Sequence, residues 1–120
     1  FVLHGESLTL SGVSFFGLGG EIPSRNGAAW NQTLPEKTAA EILLRADAFD
    51  ILVTHTPPFG CADLQRDGSH EGSKAIAEAL CTRVPKLHLC GHIHFSWGFE
   101  GVVGETLVKN LGPTVNWFDV

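Results

Sequence analysis

Leu87-His88-Leu89-Cys90-Gly91-His92-Ile93-His94 is the stretch that decides how this chain folds. Its first four residues read as a short strand buried on both faces, and the run ends in a glycine and two histidines. A second apolar run, Ile51-Leu52-Val53-Thr54, also ends in histidine, at His55. A helical pattern precedes each run. Thr33-Leu34-Pro35-Glu36 has the form of a capping box and starts a helix expected to run to about Ala48, with Ala39, Ile42, Leu43 and Ala46 on one apolar face. A second helix is expected over Glu71 to Thr82, with Ile76, Ala79 and Leu80 inward and Pro85 marking its end. Further out, Leu8 to Leu10 and Val13 to Leu18 flank Ser11-Gly12 as a hairpin, and Gly17-Leu18-Gly19-Gly20 closes it. The tail has strand-like segments at Thr106 to Lys109 and Val115 to Val120. The sum is one α/β domain over residues 1–120 in which two helices each precede a buried strand.

Ligand sites in open α/β sheets gather in the crevice beyond the carboxyl ends of the strands. Two neighbouring parallel strands would therefore bring His55 together with His92 and His94. In extended backbone, residues two apart point to the same side with Cα atoms roughly 6.5 Å apart. That spacing suits one imidazole on each of two metal ions about 3.5 to 4 Å apart, as in two-metal hydrolysis. Lone histidines are mostly hydrogen-bonded structural residues, and His4 and His88 are read that way. Gly17-Leu18-Gly19-Gly20 is not a dinucleotide fingerprint, because the third glycine is missing and Pro23-Ser24-Arg25-Asn26-Gly27 reads as loop.

Composition narrows the partners. Lys plus Arg number 8 against 13 Asp plus Glu, a formal charge of -5, so no basic field attracts nucleic acid or an anionic membrane. No stretch approaches the ~20 apolar residues that span a bilayer. Cys61, Cys81 and Cys90 are odd in number and include no C-x-x-C, which argues against a disulfide framework and makes a reducing, cytoplasmic setting the default expectation. The chain begins at Phe1 and contains no methionine, so processing or an incomplete chain is expected behind it.

Val53-Thr54-His55-Thr56-Pro57-Pro58 and Gly91-His92-Ile93-His94 resemble the last two metal-binding blocks of the calcineurin-like metallophosphoesterases, the second being the family's G-H-x-H motif. The text between them, from Phe59-Gly60 to Asp63, through His70-Glu71-Gly72-Ser73 and on to Pro85-Lys86-Leu87-His88, is similar to the small branch called metallophosphoesterase-domain-containing proteins. The resemblance implies the C-terminal half of that family's α/β sandwich, a mixed sheet with flanking helices. It implies hydrolysis of a small phosphate ester, as a phosphomonoesterase or phosphodiesterase. His55 and His92 would bind one metal of a pair and His94 the other, the complete enzyme using two divalent or trivalent transition metals such as Mn, Fe or Zn.

The family's D-x-H, G-D and G-N-H-D or G-N-H-E blocks are not found in these residues. Three neutral imidazoles do not balance two divalent cations, so at most one metal is expected in this chain and little or no catalysis by it alone. A mononuclear zinc on His55, His92 and His94, with Asp63, His70 or Glu71 as fourth or supporting group, is the local alternative. For Asp63 and His70 a loop or helix-start role is equally expected. Arg25 and Asn26 could reach a phosphate, an exposed loop charge being the simpler reading. Cys61 and Cys90 fit burial or loop roles better than ligation, and Phe95 and Trp97 either wall the crevice or pack as ordinary aromatics. A half-sandwich would leave an apolar face bare, so self-association is expected, without nucleic acid or membrane partners.

Overall fold

The computed structural model describes residues 4–23, 33–112 and 118. Ser11-Gly12 joins β1 (Glu6–Leu10) to β2 (Val13–Leu18) in an antiparallel hairpin. Both turn residues are left-handed, with φ of 50° and 79°, the two-residue geometry whose twist matches the flanking strands. Helix α1 (Glu36–Arg45) leads to β3 (Ile51–Thr54), and α2 (Lys74–Arg83) to β4 (Leu87–Cys90). A second hairpin, β5 (Glu100–Val103) and β6 (Thr106–Asn110), completes a six-stranded sheet in the order β1-β2-β3-β4-β6-β5. The four inner strands are parallel and the two edges antiparallel. This is the expected mixed α/β sheet with flanking helices.

The register lines up Phe16, Leu52, His88 and Val108 across β2, β3, β4 and β6, so these side chains share one face. With Leu18 and Cys90 from the same face, Phe16, Leu52 and Val108 form a core with Ala39 and Leu43 of α1 and Ala75, Ile76, Ala79 and Leu80 of α2. The expected inward faces of both helices are therefore the observed ones, Ile42 and Ala46 being partly buried against this core. The opposite face carries Phe15, Ile51, Val53, Leu87, Leu89 and Leu107, none of which belongs to the helix-packed core.

The helix starts differ from the expected ones for a common reason. Glu36 does not fold back onto its own helix; Pro35 caps α1 without a side-chain hydrogen bond. Instead the Glu36 carboxylate accepts from the backbone N–H of Lys74 at 2.7 Å and from the Ser73 hydroxyl, at the start of α2. A carboxylate at a helix N-terminus meets its orphan N–H groups and favourable dipole. Ser73 accepts from Ile76 N at 3.1 Å, so α2 begins at Lys74, not at Glu71. At the far ends the roles reverse: the Arg83 guanidinium in the last turn of α2 donates to the carbonyls of Leu44, at 3.0 Å, and Ala46 of α1. The helices lie parallel and each supplies a cap to the other. The expected strand over Val115 to Val120 lies outside the described residues, Phe118 excepted.

Polar side chains are also buried beneath the helices. His88 has no exposed surface. Thr54 spends its one hydroxyl proton on the Thr56 carbonyl, at 2.5 Å, so the contact of 2.8 Å from His88 Nε2 must be an N–H donated to Thr54 Oγ1. That leaves Nδ1 as a bare lone pair without a partner. Burial pushes the ring's pKa down to about 3 from 6.5. Above pH 6.5 the ring is neutral in folded and unfolded chains alike; as pH falls the unfolded chain takes up a proton that the fold refuses. Stability is therefore lost progressively from about pH 6.5 towards pH 3, by about 2 kcal/mol at pH 5 from this ring. Urea denaturation at pH 7 and pH 5 should show that loss in the wild type and a smaller one in His88→Gln, whose side-chain N–H replaces the donor without the charge.

Candidate metal centre at the strand ends

Parallel pairing of β3 and β4 brings their carboxyl ends side by side, and the residues that follow meet above them. His55 leaves β3 between two buried threonines, Thr54 and Thr56. Its carbonyl accepts from Gly91 N at 3.1 Å, which ties the end of β3 to the turn after β4. His55 Nε2 lies 2.8 Å from His92 Nδ1, with ring centroids 4.5 Å apart. Two imidazoles on one metal at 2.0 to 2.1 Å would have nitrogens roughly 3.0 to 3.4 Å apart, so a small rotation of either ring admits an ion between them. The pair fits two positions of a metal's coordination shell.

His92 and His94 do not lie on one extended strand, as the two-residue spacing assumed. The backbone is not extended after Cys90: His92 is left-handed at φ 66°, and Ile93 N turns back to Gly91 O at 2.7 Å. Ile93 is thereby driven into the interior, and His94 opens a short 3-10 turn, His94–Ser96, with its ring against Trp97 at 4.4 Å between centroids. Among the described residues no three His, Cys, Asp or Glu side chains converge as one metal-holding group. His94 remains close enough to act on His55 electrostatically. Burial first, then repulsion from His92, holds the His55 pKa below its ordinary value; Glu21 opposes this and His94 adds to it. A lowered pKa keeps His55 neutral at neutral pH, the form in which imidazole binds metal.

Asp63 is buried in the loop beyond β3, where Oδ2 accepts from Gly60 N at 3.0 Å and Gly72 N at 2.8 Å while Oδ1 faces His70 Nδ1 at 2.8 Å. It organises the loop, and His70 follows it to the rim of a cavity walled by Phe95 and Trp97. Glu71 is hydrogen-bonded from Gln65 Nε2 at 2.7 Å. Arg25 and Asn26 lie outside the described residues. Burial raises the pKa of Cys90 and of Cys61, which disfavours the thiolate that a metal would take.

Three residues matter that the sequence did not single out. Glu21, nearly buried, follows β2 and so shares the crevice of the neighbouring parallel strand; the strand order alone would have pointed to it. Gly72 accepts no side chain, because a Cβ there would lie 2.3 Å from the Pro58 carbonyl oxygen. Asn110, fully buried at the end of β6, donates from Nδ2 to the carbonyls of Ala62 at 2.9 Å, Ile93 at 3.3 Å and Gly91 at 3.4 Å.

The histidine pair thus stands at the carboxyl ends of adjacent parallel strands of an α/β sheet. The chain belongs to the family described as metallophosphoesterase, calcineurin superfamily, whose model matches residues 1–115. It is 30% identical over 97 residues to the UPF0046 protein T07D4.2 of Caenorhabditis elegans, covering 80% of this chain and 24% of that one. It is 32% identical over 105 residues to metallophosphoesterase domain-containing protein 1 of Homo sapiens, covering 86% of this chain and 29% of that one. The chain thus spans about a quarter of the length of the curated relatives it matches. One crystal structure shares the fold at a TM-score of 0.75 and 23% identity, over 92% of this chain and 45% of that chain. The crystal structure of TT1561 of Thermus thermophilus shares it at a TM-score of 0.62 and 21% identity, over 90% and 48%. The family supports hydrolysis of phosphate esters, and the calcineurin superfamily generally uses divalent metals.

Truncating the Asn110 amide should strip partners from three carbonyls of the two histidine-bearing loops. Asn110→Ala is expected to lose about 2 to 4 kcal/mol in urea denaturation. The proton NMR contacts between the His55 and His92 rings should weaken in the same variant.

Proposed function

We propose that this chain supplies part of the metal centre of a phosphoester hydrolase, with His55 and His92 binding one metal and His94 the second. The observation that carries this reading is the 2.8 Å approach of His55 Nε2 to His92 Nδ1 at the ends of paired parallel strands. When bound, divalent metals at such a centre polarise phosphoryl oxygens and activate water, on a phosphomonoester or phosphodiester of a small molecule. The chain's own part is to hold neutral imidazoles in fixed positions. Thr54 and Thr56 anchor the backbone on either side of His55, and Glu21 adds negative charge nearby. The carboxylates that would balance the charge of such a centre would, in this reading, come from outside these residues. The isolated chain would then hold at most one metal, Mn, Fe or Zn, and turn over little.

A second reading is a self-associating metal-binding module without activity; on the sheet face away from the described helices Phe15, Val53, Leu89 and Leu107 keep part of their surface exposed, while Ile51 and Leu87 are buried. Among the described residues no helix is long and apolar enough to cross a membrane.

Metal analysis after equilibration with Mn or Zn should find about one ion per chain in the wild type and an affinity lower by about tenfold or more in His92→Ala. Equal metal content in the two proteins would remove the assignment. Sedimentation velocity of the 120-residue chain is expected to show dimers at micromolar concentration, and a monomer throughout the range would exclude the self-associating reading.

A further inference from the structure

Among the described residues, three of the four most exposed aromatic rings lie together, while Phe59 lines a separate hollow. Phe95, Trp97 and Phe99, each about half exposed, converge with Leu64 on one cavity of about 450 Å³ between the loop after β3 and the turn after β4. That volume lies within the range of small-molecule sites, and large apolar side chains left in water around a concavity are the usual wall of one. The wall is held in place from behind. The Trp97 ring lies against His94, the Arg66 guanidinium sits over Phe95 at 5.6 Å, and the Ser96 hydroxyl donates to the Leu64 carbonyl at 2.8 Å, tying the two sides of the cavity together.

Asp63 and His70 also line the cavity, His70 standing between it and a second hollow beside Phe59 and Lys74, and of their side-chain polar atoms His70 Nε2 is the one left without a hydrogen bond. Both Asp63 oxygens are taken, by Gly60 N and Gly72 N on one side and by His70 Nδ1 on the other. The carboxylate is 1% exposed while the His70 side chain is 42% exposed, so a buried acceptor fixes an open ring. Because the carboxylate accepts, Nδ1 carries the proton and the neutral ring offers Nε2 as an acceptor. A ligand that matches both features is flat enough to lie between aromatic faces and carries an O–H or N–H at its edge.

We propose that this cavity is a binding site for a planar aromatic group bearing a hydrogen-bond donor, stacked on Trp97 and the phenylalanines and donating to His70 Nε2, with Asp63 as the positioning residue for that ring. Because Trp97 lines the cavity and its ring also touches His94, the bound group would be the alcohol side of an ester whose phosphorus lies at the histidines, a placement that rests on the function proposed above. The site itself does not need it.

The test uses the metal-free chain and two probes without phosphate, 4-chlorophenol and 4-chloroanisole, in which a methyl group replaces the hydroxyl proton, so that the His70→Ala comparison separates the lost donor from the added methyl. Imidazole ¹⁵N and Trp97 indole resonances are followed by NMR as each is added. The phenol is expected to shift the His70 Nε2 resonance and to bind about fivefold tighter than the anisole, the worth of one hydrogen bond. His70→Ala should erase that preference while leaving the anisole affinity in place, and Trp97→Ala should weaken both probes about fivefold or more. Equal affinity of the two probes in the wild type, a preference that survives His70→Ala, or millimolar phenol that moves neither ring would overturn the proposal. Since neither probe contains phosphate and no metal is added, loss of the metal centre would leave these results unchanged, and failure here would leave the metal analysis of His92→Ala untouched.

Discussion

A buried amide is the hub of the links that hold the carboxyl end of this sheet together. Asn110, at the last position of β6, reaches under the carboxyl ends of its neighbours and donates to carbonyls in the loop after β3 and the turn after β4. Those two segments carry every histidine implicated in metal binding and both walls of the aromatic cavity. Neither segment is part of the sheet's own ladder, so its carbonyls need partners from elsewhere, and buried carbonyls without them are costly. The hydrogen bond from Gly91 N to the His55 carbonyl adds a direct link between the same segments. The backbone of both segments is therefore tied to the end of β6.

The helical layer has its own cross-links, and they explain why α1 and α2 behave as a unit. Glu36 at the start of one helix serves the first turn of the other, and Arg83 at the end of the second serves the last carbonyls of the first. Parallel neighbours make this exchange possible, because like ends lie side by side and each end lacks what the other offers. Two successive right-handed crossovers on one face of a parallel sheet place helices in this relation. The sequence contains the residues for local capping, Thr33 through Glu36, but the carboxylate finds N–H groups with greater need on the adjacent helix.

Much of the architecture was legible because it rests on short-range rules. The Ser11-Gly12 hairpin, the inward faces of both helices and the buried runs at Ile51 and Leu87 follow from turn chemistry and periodicity. The meeting of His55 with His92 followed from strand order. What escaped depends on long-range partners or on single dihedrals. Strand β5 carries Glu100, Gly101 and an exposed Val102, and it is a strand because β6 lies beside it. The expected common side of His92 and His94 assumed extended backbone, and one left-handed residue removed it. Asn110 and Gly72 are ordinary polar and turn residues in the sequence; their roles appear only when Ala62, Ile93 and Pro58 come near.

The left-handed backbone at His92 has one more implication. Side chains with a Cβ are disfavoured in this region by roughly 1 to 2 kcal/mol, and glycine is not. For folding alone, the best occupant of position 92 is therefore a residue with no ring at all. The imidazole stands in opposition to the local conformational preference, and a chain released from any need for it would gain stability by giving it up. Presence of histidine at this position can thus be read as a cost carried by the backbone on behalf of the crevice above it.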